Sequence, residues 1–307
     1  MNAPLVVGRF APSPTGPLHF GSLIAAVGSY CLARHAGGRW LLRMDDLDGP
    51  RVVPGAADDI LHTLENLGFY WDGDILWQSR RHEAYREALE TLRRQGRLYD
   101  CACSRREILA SAPHAGEEGP VYPGTCRKGM PPGRAPRATR IRVPRQRIGF
   151  TDGVFGAQGQ RLSEAVGDFV LRRADGMVAY QLATVVDDAA SGVTQVVRGA
   201  DLLGSTPRQI FLQKCLALPT PAYFHLPLAL NPDGSKISKR SEGTGDALLD
   251  GGGNAIRNAL RWLGQVPPDE LRAASPQELL AWGALTFDAG KIPAIQEIAV
   301  DRGGESR

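Results

Sequence analysis

The stretch that decides the fold is Arg9-Phe-Ala-Pro-Ser-Pro-Thr-Gly-Pro-Leu-His19-Phe-Gly21-Ser22. It joins two segments of different period. Residues 5–10 form a short apolar run of strand length. Residues 22–35 carry Leu23, Ile24, Ala26, Val27, Tyr30 and Cys31 at helical spacing. The Pro-rich turn 11–17 separates them. A junction from first strand to first helix is where open parallel sheets bind nucleotides. The helix start offers free N–H groups and partial positive charge to phosphate. His19 suits a phosphate partner there; it equally suits a half-buried histidine at a helix entry. Gly21 carries no side chain, so a flat base or ribose could approach.

Outward from this stretch, Gly37-Gly38 ends the helix and residues 39–44 read as a second strand. Residues 56–67 read as an amphipathic helix stopped by Gly68. Strand, helix, strand, helix predicts an α/β fold with a parallel sheet. Residues 81–95 add a helix, 168–173 and 193–197 two strands, and 206–216 a helix with Pro207 in its first turn. The apolar run 224–230 leads into a loop at 231–240, and 255–263 and 276–284 read as helices. Residues 301–307 read as a frayed end. No internal repeat is visible.

The chain has 307 residues and a formal charge of +3, so bulk charge does not announce a nucleic-acid binder. Between Glu118 and Asp152 no acid occurs, while Arg127, Lys128, Arg134, Arg137, Arg140, Arg142, Arg145 and Arg147 do. Such a run can neutralise phosphates, or be a solvated face. No secretory signal and no apolar run of bilayer length is present, so the expectation is cytoplasmic with no membrane contact. Five cysteines, three of them clustered at Cys101, Cys103 and Cys126, point to metal or buried thiols rather than disulfides.

Three further segments carry chemistry. Asn231-Pro-Asp-Gly-Ser-Lys236-Ile237-Ser238-Lys239-Arg240 sets lysines on a Gly/Ser loop, which suits a polyphosphate or an ordinary exposed loop. Arg43-Met44-Asp45-Asp46-Leu47-Asp48 puts acids at a strand end, facing the cleft or capping the next helix. Cys101-Ala-Cys103 with Cys126 gives three thiolates, a set suited to tetrahedral zinc.

The 9–22 segment resembles the signature of glutamyl-tRNA synthetases and their short relatives, with His19-Phe20-Gly21-Ser22 as the HIGH-type tetrapeptide. Lys236-Ile237-Ser238-Lys239-Arg240 resembles the KMSKS loop, its last residue departing from the usual Ser. Arg43-Met44-Asp45-Asp46 resembles the family's Arg-(Ile/Phe)-Glu-Asp, with Asp45 one methylene shorter. Ala179-Tyr180 and Val197-Arg198, and the stretch 77–86, match as well. The resemblance covers about residues 7–263 and implies a class I synthetase Rossmann-like fold. It implies ATP with Mg²⁺ at Pro12, His19, Phe20, Gly21, Ser22, Lys236, Ile237, Ser238, Lys239 and Arg240. His19, Lys236 and Lys239 would be catalytic. L-glutamate would lie at Arg9, Phe10, Ala11, Pro12, Ser13, Asp45, Tyr180 and Arg198, since planar guanidinium groups suit its carboxylates. Arg198 could instead pair with Asp201. In the short relatives a Cys-x-Cys…Tyr-x-x-x-Cys pattern holds one structural zinc. That implies Cys101, Cys103, Tyr122 and Cys126, with His114 as the other candidate for the fourth ligand.

The resulting division is 1–98 and 166–240 as two halves of a catalytic domain, 99–165 as a zinc-bearing insertion, and 241–307 as a helical region without an anticodon-binding domain. The short branch places glutamate on queuosine, the modified wobble base of tRNA(Asp), so the expected RNA partner is that anticodon loop. A monomer is expected. The alternatives are a tRNA-charging glutamyl-tRNA synthetase whose missing domain is supplied by another chain, and a zinc-stabilised RNA-binding module without catalysis.

Overall fold

Val7–Phe10 (β1) is buried along its whole length, as a strand covered on both faces must be. The computed structural model describes residues 5–112, 114–116, 119–230 and 252–299. Helix α1 (Phe20–His35) is the crossover that returns the chain to β2 (Arg39–Met44). The two strands pair in parallel, from Val7 opposite Arg39 to Phe10 opposite Leu42. The helix starts two residues before the predicted position because His19 caps it, its Nδ1 accepting the Ser22 N–H at 3.3 Å. After α2 (Ala56–Asn66), β3 (Leu76–Trp77) pairs in parallel with β2. Helix α3 (His82–Arg94) then buries Tyr85, Ala88 and Leu92.

The next stretch forms β4 (Leu98–Cys101), α4 (Arg105–Ser111), β5 (Ala138–Ile141), β6 (Arg147–Asp152), β7 (Gly156–Arg161) and β8 (Val170–Arg172). Strands β8, β5 and β4, in that order, make a small antiparallel sheet. The small sheet opens at Leu98 and is completed by β8, beyond residue 165. The hairpin β6–β7 instead joins the edge of the main sheet, where Asp152 pairs with Tyr223.

Helix α5 (Tyr180–Ala190), β9 (Gln195–Gly199), α6 (Thr206–Cys215) and β10 (Ala222–Leu226) complete the second half. The strand order is β9-β10-β6-β7, with β9 and β10 parallel. The two halves meet where β9 lies beside β1. There Thr194 N–H donates to Val7 O and Val7 N–H donates to Thr194 Oγ1, each at 2.9 Å.

Strand β11 (Leu228–Leu230) precedes α7 (Gly253–Trp262) and α8 (Pro276–Thr286), and β12 (Glu297–Ala299) returns to pair with β11. Residues 252–299 of the expected C-terminal region are built into the first core. Leu23, Val27 and Cys31 of α1 share one apolar cluster with Ala259, Leu260, Leu263, Leu279 and Leu280. Among the described residues no helix is long and apolar enough to cross a membrane.

The basic stretch is largely consumed by the fold. Arg140 is buried, donates to Asp168 O at 2.7 Å and lies 3.8 Å over the Tyr122 ring. Arg142 covers Tyr99, Arg127 pairs with Asp168, and Arg134 pairs with Glu107. Lys128, Arg137 and Arg145 remain exposed.

Candidate active site

At the seam between β1 and β9, the carboxyl ends of the parallel strands bring four charges together. Arg9 and Arg43 are each 4% exposed. Arg9 Nε donates to Asp188 Oδ1 at 3.2 Å and its Nη1 to Val197 O at 3.3 Å. Arg43 Nη1 reaches the same Asp188 oxygen at 2.5 Å, while Nε and Nη2 grip Asp45 at 2.6 and 3.3 Å. Two arginines and two aspartates sum to zero charge, which is what permits their burial. Burial alone would raise the Asp188 carboxyl; Arg9 and Arg43 outweigh it and hold it below the usual range. Burial also opposes the charge of Arg43, but Asp45 and Asp188 keep its pKa well above the ordinary value. The Asp45 carboxyl stays above its usual range, burial outweighing Arg43 and Arg9.

Asp187, beside Asp188 on α5, accepts from Gln78 Nε2 at 2.8 Å, Tyr85 OH at 2.7 Å and Arg81 Nε at 3.2 Å. This anchors α5 to α3 and fixes Asp188 at the cleft. Tyr180 starts the same helix, about two turns earlier, and is 37% exposed. Arg198 follows Val197 on β9, is 5% exposed, and pairs with His225, Thr206 and the carbonyl of Leu202. These partners, and not Asp201, hold the guanidinium. Its Nη1 is buried with no partner among the described residues.

The motif loop is pinned onto the end of β2. Asp45 N–H donates to Pro12 O and Val53 N–H to Pro14 O, both at 2.9 Å. Pro12 is buried, Ala11 half-buried and Ser13 exposed. Ser22 Oγ lies 3.2 Å from His19 Nε2, so the imidazole folds over the start of α1. A Cβ on Gly21 would come within 3.2 Å of that ring. Phe10 and Phe20, expected near ligands, put their side chains in the core: Phe10 stacks with Trp40 and Phe20 meets Trp262 edge-on. Lys236, Ile237, Ser238, Lys239 and Arg240 lie outside the described residues.

The cysteines converge at the end of the small sheet. The Sγ atoms of Cys101, Cys103 and Cys126 lie within 4.8 Å of one another, with Cys103 and Cys126 at 3.6 Å. Tyr122 OH stands 3.3 Å from Cys101 Sγ and 3.8 Å from Cys103 Sγ. A tetrahedron of ligands at zinc–sulfur distance has edges of about 3.8 Å, so the donor set fits zinc. The Cys126 N–H donates to Tyr122 OH at 2.9 Å, leaving the oxygen as an acceptor. Burial raises the Cys101 thiol, but Tyr122, the Cys103 N–H and Arg140 outweigh it and bring it below its ordinary value. His114 is turned to the Glu164 carbonyl at 2.8 Å and stands apart from the cluster. Gly167, at φ +73°, lets Tyr122 approach: a Cβ there would meet Tyr122 O at 2.5 Å.

Sequence reasoning missed Asp187, Asp188, Gln78, Asp152 and His225, and gave Arg43 no role of its own. The available signal was charge where apolar residues were due, such as the acid pair inside the apolar helix 180–190.

Buried paired charges at the strand ends lie beside a histidine-capped helix start, the place where parallel sheets take nucleotides. Residues 5–279 match the family of class I tRNA synthetases (E and Q), catalytic domain. The glutamyl-Q tRNA(Asp) synthetase of Geobacter sulfurreducens is 58% identical over 296 residues, covering 94% of each chain. That of Dechloromonas aromatica is 56% identical, covering 94% of this chain and 96% of its own. A crystal structure of glutamate-tRNA synthetase from Elizabethkingia anophelis superposes with TM-score 0.80 at 26% identity, over 98% of this chain and 69% of that one. The chain belongs to the class I synthetase family, and within it to the glutamyl-Q tRNA(Asp) synthetases.

Proposed function

We propose that this chain activates L-glutamate with ATP and transfers the glutamyl group to queuosine at the wobble position of tRNA(Asp). The observation that carries the reading is the pair of buried guanidinium groups at the seam, Arg9 and Arg198, the latter with one nitrogen still unpaired among the described residues. A buried donor of this kind calls for an acceptor. Glutamate supplies two carboxylates for Arg9 and Arg198, and an ammonium for Asp45. Tyr180 donates from the start of α5, and the loop from Phe10 to Ser13 walls the amino acid.

ATP lies over Gly21, its phosphates on the first turn of α1, where the N–H groups of Phe20 and Gly21 and the side chains of His19 and Ser22 face it. Lys236 and Lys239, with Ser238 and Arg240 beside them, neutralise the departing pyrophosphate. The α-carboxylate of glutamate attacks the α-phosphorus in line, the bond to the β-phosphate oxygen breaks, and glutamyl-adenylate forms. A hydroxyl of the queuosine cyclopentene ring then attacks the glutamyl carbonyl, and AMP leaves. Positioning and charge complementarity supply the rate; no side chain forms a covalent bond. Cys101, Cys103, Cys126 and Tyr122 would hold zinc, which when bound supplies a structural cross-link in a closed ligand set. Lys128, Arg137 and Arg145 are the exposed cations proposed for the anticodon loop. The protein is proposed to act as a cytoplasmic monomer.

The test is glutamate-dependent exchange of pyrophosphate into ATP, followed by transfer of labelled glutamate to tRNA. Label on queuosine-containing tRNA(Asp), and none on tRNA lacking queuosine, is the expected result. Absence of exchange, or label at the 3′ end of tRNA(Glu), would overturn it.

A further inference from the structure

Behind Arg198 stands a pair that the adenylation reading does not use. Asp152 ends β6 and His225 lies on β10, and both side chains are wholly buried. Asp152 Oδ2 accepts the His225 Nδ1–H at 2.6 Å. Its Oδ1 accepts the N–H groups of Val154 and Phe155, each at 3.0 Å, and of His225 at 3.3 Å. Burial would raise this carboxyl, but these donors outweigh it and keep Asp152 ionised. An ionised partner at Nδ1 assigns the imidazole its Nδ1–H tautomer and leaves Nε2 as an acceptor. Nε2 takes the Arg198 Nε–H at 3.1 Å. Arg198 Nη2 donates to Thr206 Oγ1 at 2.8 Å and to Leu202 O at 3.3 Å. A guanidinium is planar, so fixing Nε and Nη2 fixes the direction of the unpaired Nη1.

The chemistry of the holder matters. Arg9 and Arg43 touch carboxylates directly and share one oxygen of Asp188. Arg198 touches a neutral imidazole, a hydroxyl and a carbonyl, with the nearest ligating carboxylate one ring removed. We propose that Asp152 and His225 are positioning residues that hold Arg198 through a neutral acceptor, keeping its charge for a carboxylate of the amino-acid substrate. The proposal rests on the reading of Arg198 as a substrate contact.

Protonation of His225 would put N–H groups on both ring nitrogens and remove the acceptor. The charged or titratable groups facing it are Asp152 from β6, Arg198 from β9, Asp201 beyond β9, and Tyr223 on its own strand, stacked at 6.2 Å. Burial holds His225 below its ordinary value, so the neutral form prevails at neutral pH.

The test uses the full chain and glutamate-dependent ATP–pyrophosphate exchange, with KM measured separately for glutamate and ATP. In His225→Asn the amide replaces Nδ1, keeps Asp152, and does not reach Arg198. In His225→Gln the longer amide offers its oxygen where Nε2 stood. His225→Asn should raise the glutamate KM about tenfold or more, the worth of one hydrogen bond to a charged group, with the ATP KM unchanged. His225→Gln should recover most of that loss. In the wild type the glutamate KM should hold steady through the ordinary histidine range, about 6.5, and rise only at lower pH, and this rise should be absent from His225→Gln. Equal changes in both KM values, or an unchanged glutamate KM in a folded His225→Asn, would overturn the proposal. Should His225→Asn fail to fold, Thr206→Val tests the same cradle: a rise confined to the glutamate KM supports it, and no rise overturns it. Arg198→Gln separates the two ideas. If it leaves the glutamate KM unchanged, the substrate reading of Arg198 fails; if it raises KM while His225→Asn does not, only the positioning role fails.

Discussion

The molecule buries polar groups in two places and stabilises them differently. At the seam of the main sheet, Arg9, Arg43, Asp45 and Asp188 neutralise one another within the chain. At the end of the small sheet, Cys101, Cys103, Cys126 and Tyr122 converge as a set of acceptors and weak donors, with Arg140 stacked on the phenol ring as the neighbouring cation. In the first arrangement the chain supplies both signs of charge. The second has the form of a site finished by a metal. The difference teaches which region carries its own counter-charges and which needs them supplied.

That contrast can be broken most sharply at Asp188. Asp188→Asn leaves two buried guanidinium groups short of a carboxylate and should cost about 3–5 kcal/mol, read from urea unfolding. A loss under about 1 kcal/mol would mean that packing, not charge, holds the seam. The cysteine site should respond to metal instead. Stripping zinc with a chelator, or Cys103→Ser, should lower stability by about 2–3 kcal/mol while glutamate-dependent exchange without tRNA persists. One full equivalent of zinc still bound to Cys103→Ser would remove that cysteine from the ligand set.

Acid sharpens the comparison. Asp188 is depressed in the folded state, so its contribution is fully present above the unfolded value of about 3.9 and is lost as pH falls through the folded one. The stability gap between wild type and Asp188→Asn should be flat from about pH 5 to 8 and narrow below about pH 4. A gap that widened on acidification would contradict this sign. The smallest effect is expected at Asp45→Glu, which moves the carboxylate outward from Arg43. The glutamate KM should change by less than about tenfold, one methylene in a buried contact; a complete loss of exchange would show that the site does not tolerate a longer acid against Arg43.

Much of this was legible in the sequence. The strand–turn–helix junction, the parallel sheet and the cysteine cluster follow from period, turn residues and spacing. The charge network was not legible, because its members lie far apart: Arg9 meets Asp188, and Asp152 meets His225, only when the sheet halves join. Arg43 sits in a strand and Asp188 in a helix whose neighbours read as core. The basic stretch could be read only as alternatives, for the opposite reason. Arg127, Arg140 and Arg142 look like a phosphate face in sequence, yet they brace Asp168, Tyr99 and Tyr122. The C-terminal helices read as a separate region because nothing local shows that Gly283 lies against Cys31.

One connection ties the two regions together. Strand β8 completes the sheet whose other edge ends at Cys101, and the chain then turns back, with Arg172 bridged to Val178 and the Ala179 N–H donating to Leu171 O. Tyr180 is the very next residue. The start of α5 is therefore set directly by the bridged return that follows β8. The small sheet and the first turn of α5 are thus joined by one short hydrogen-bonded return of the chain.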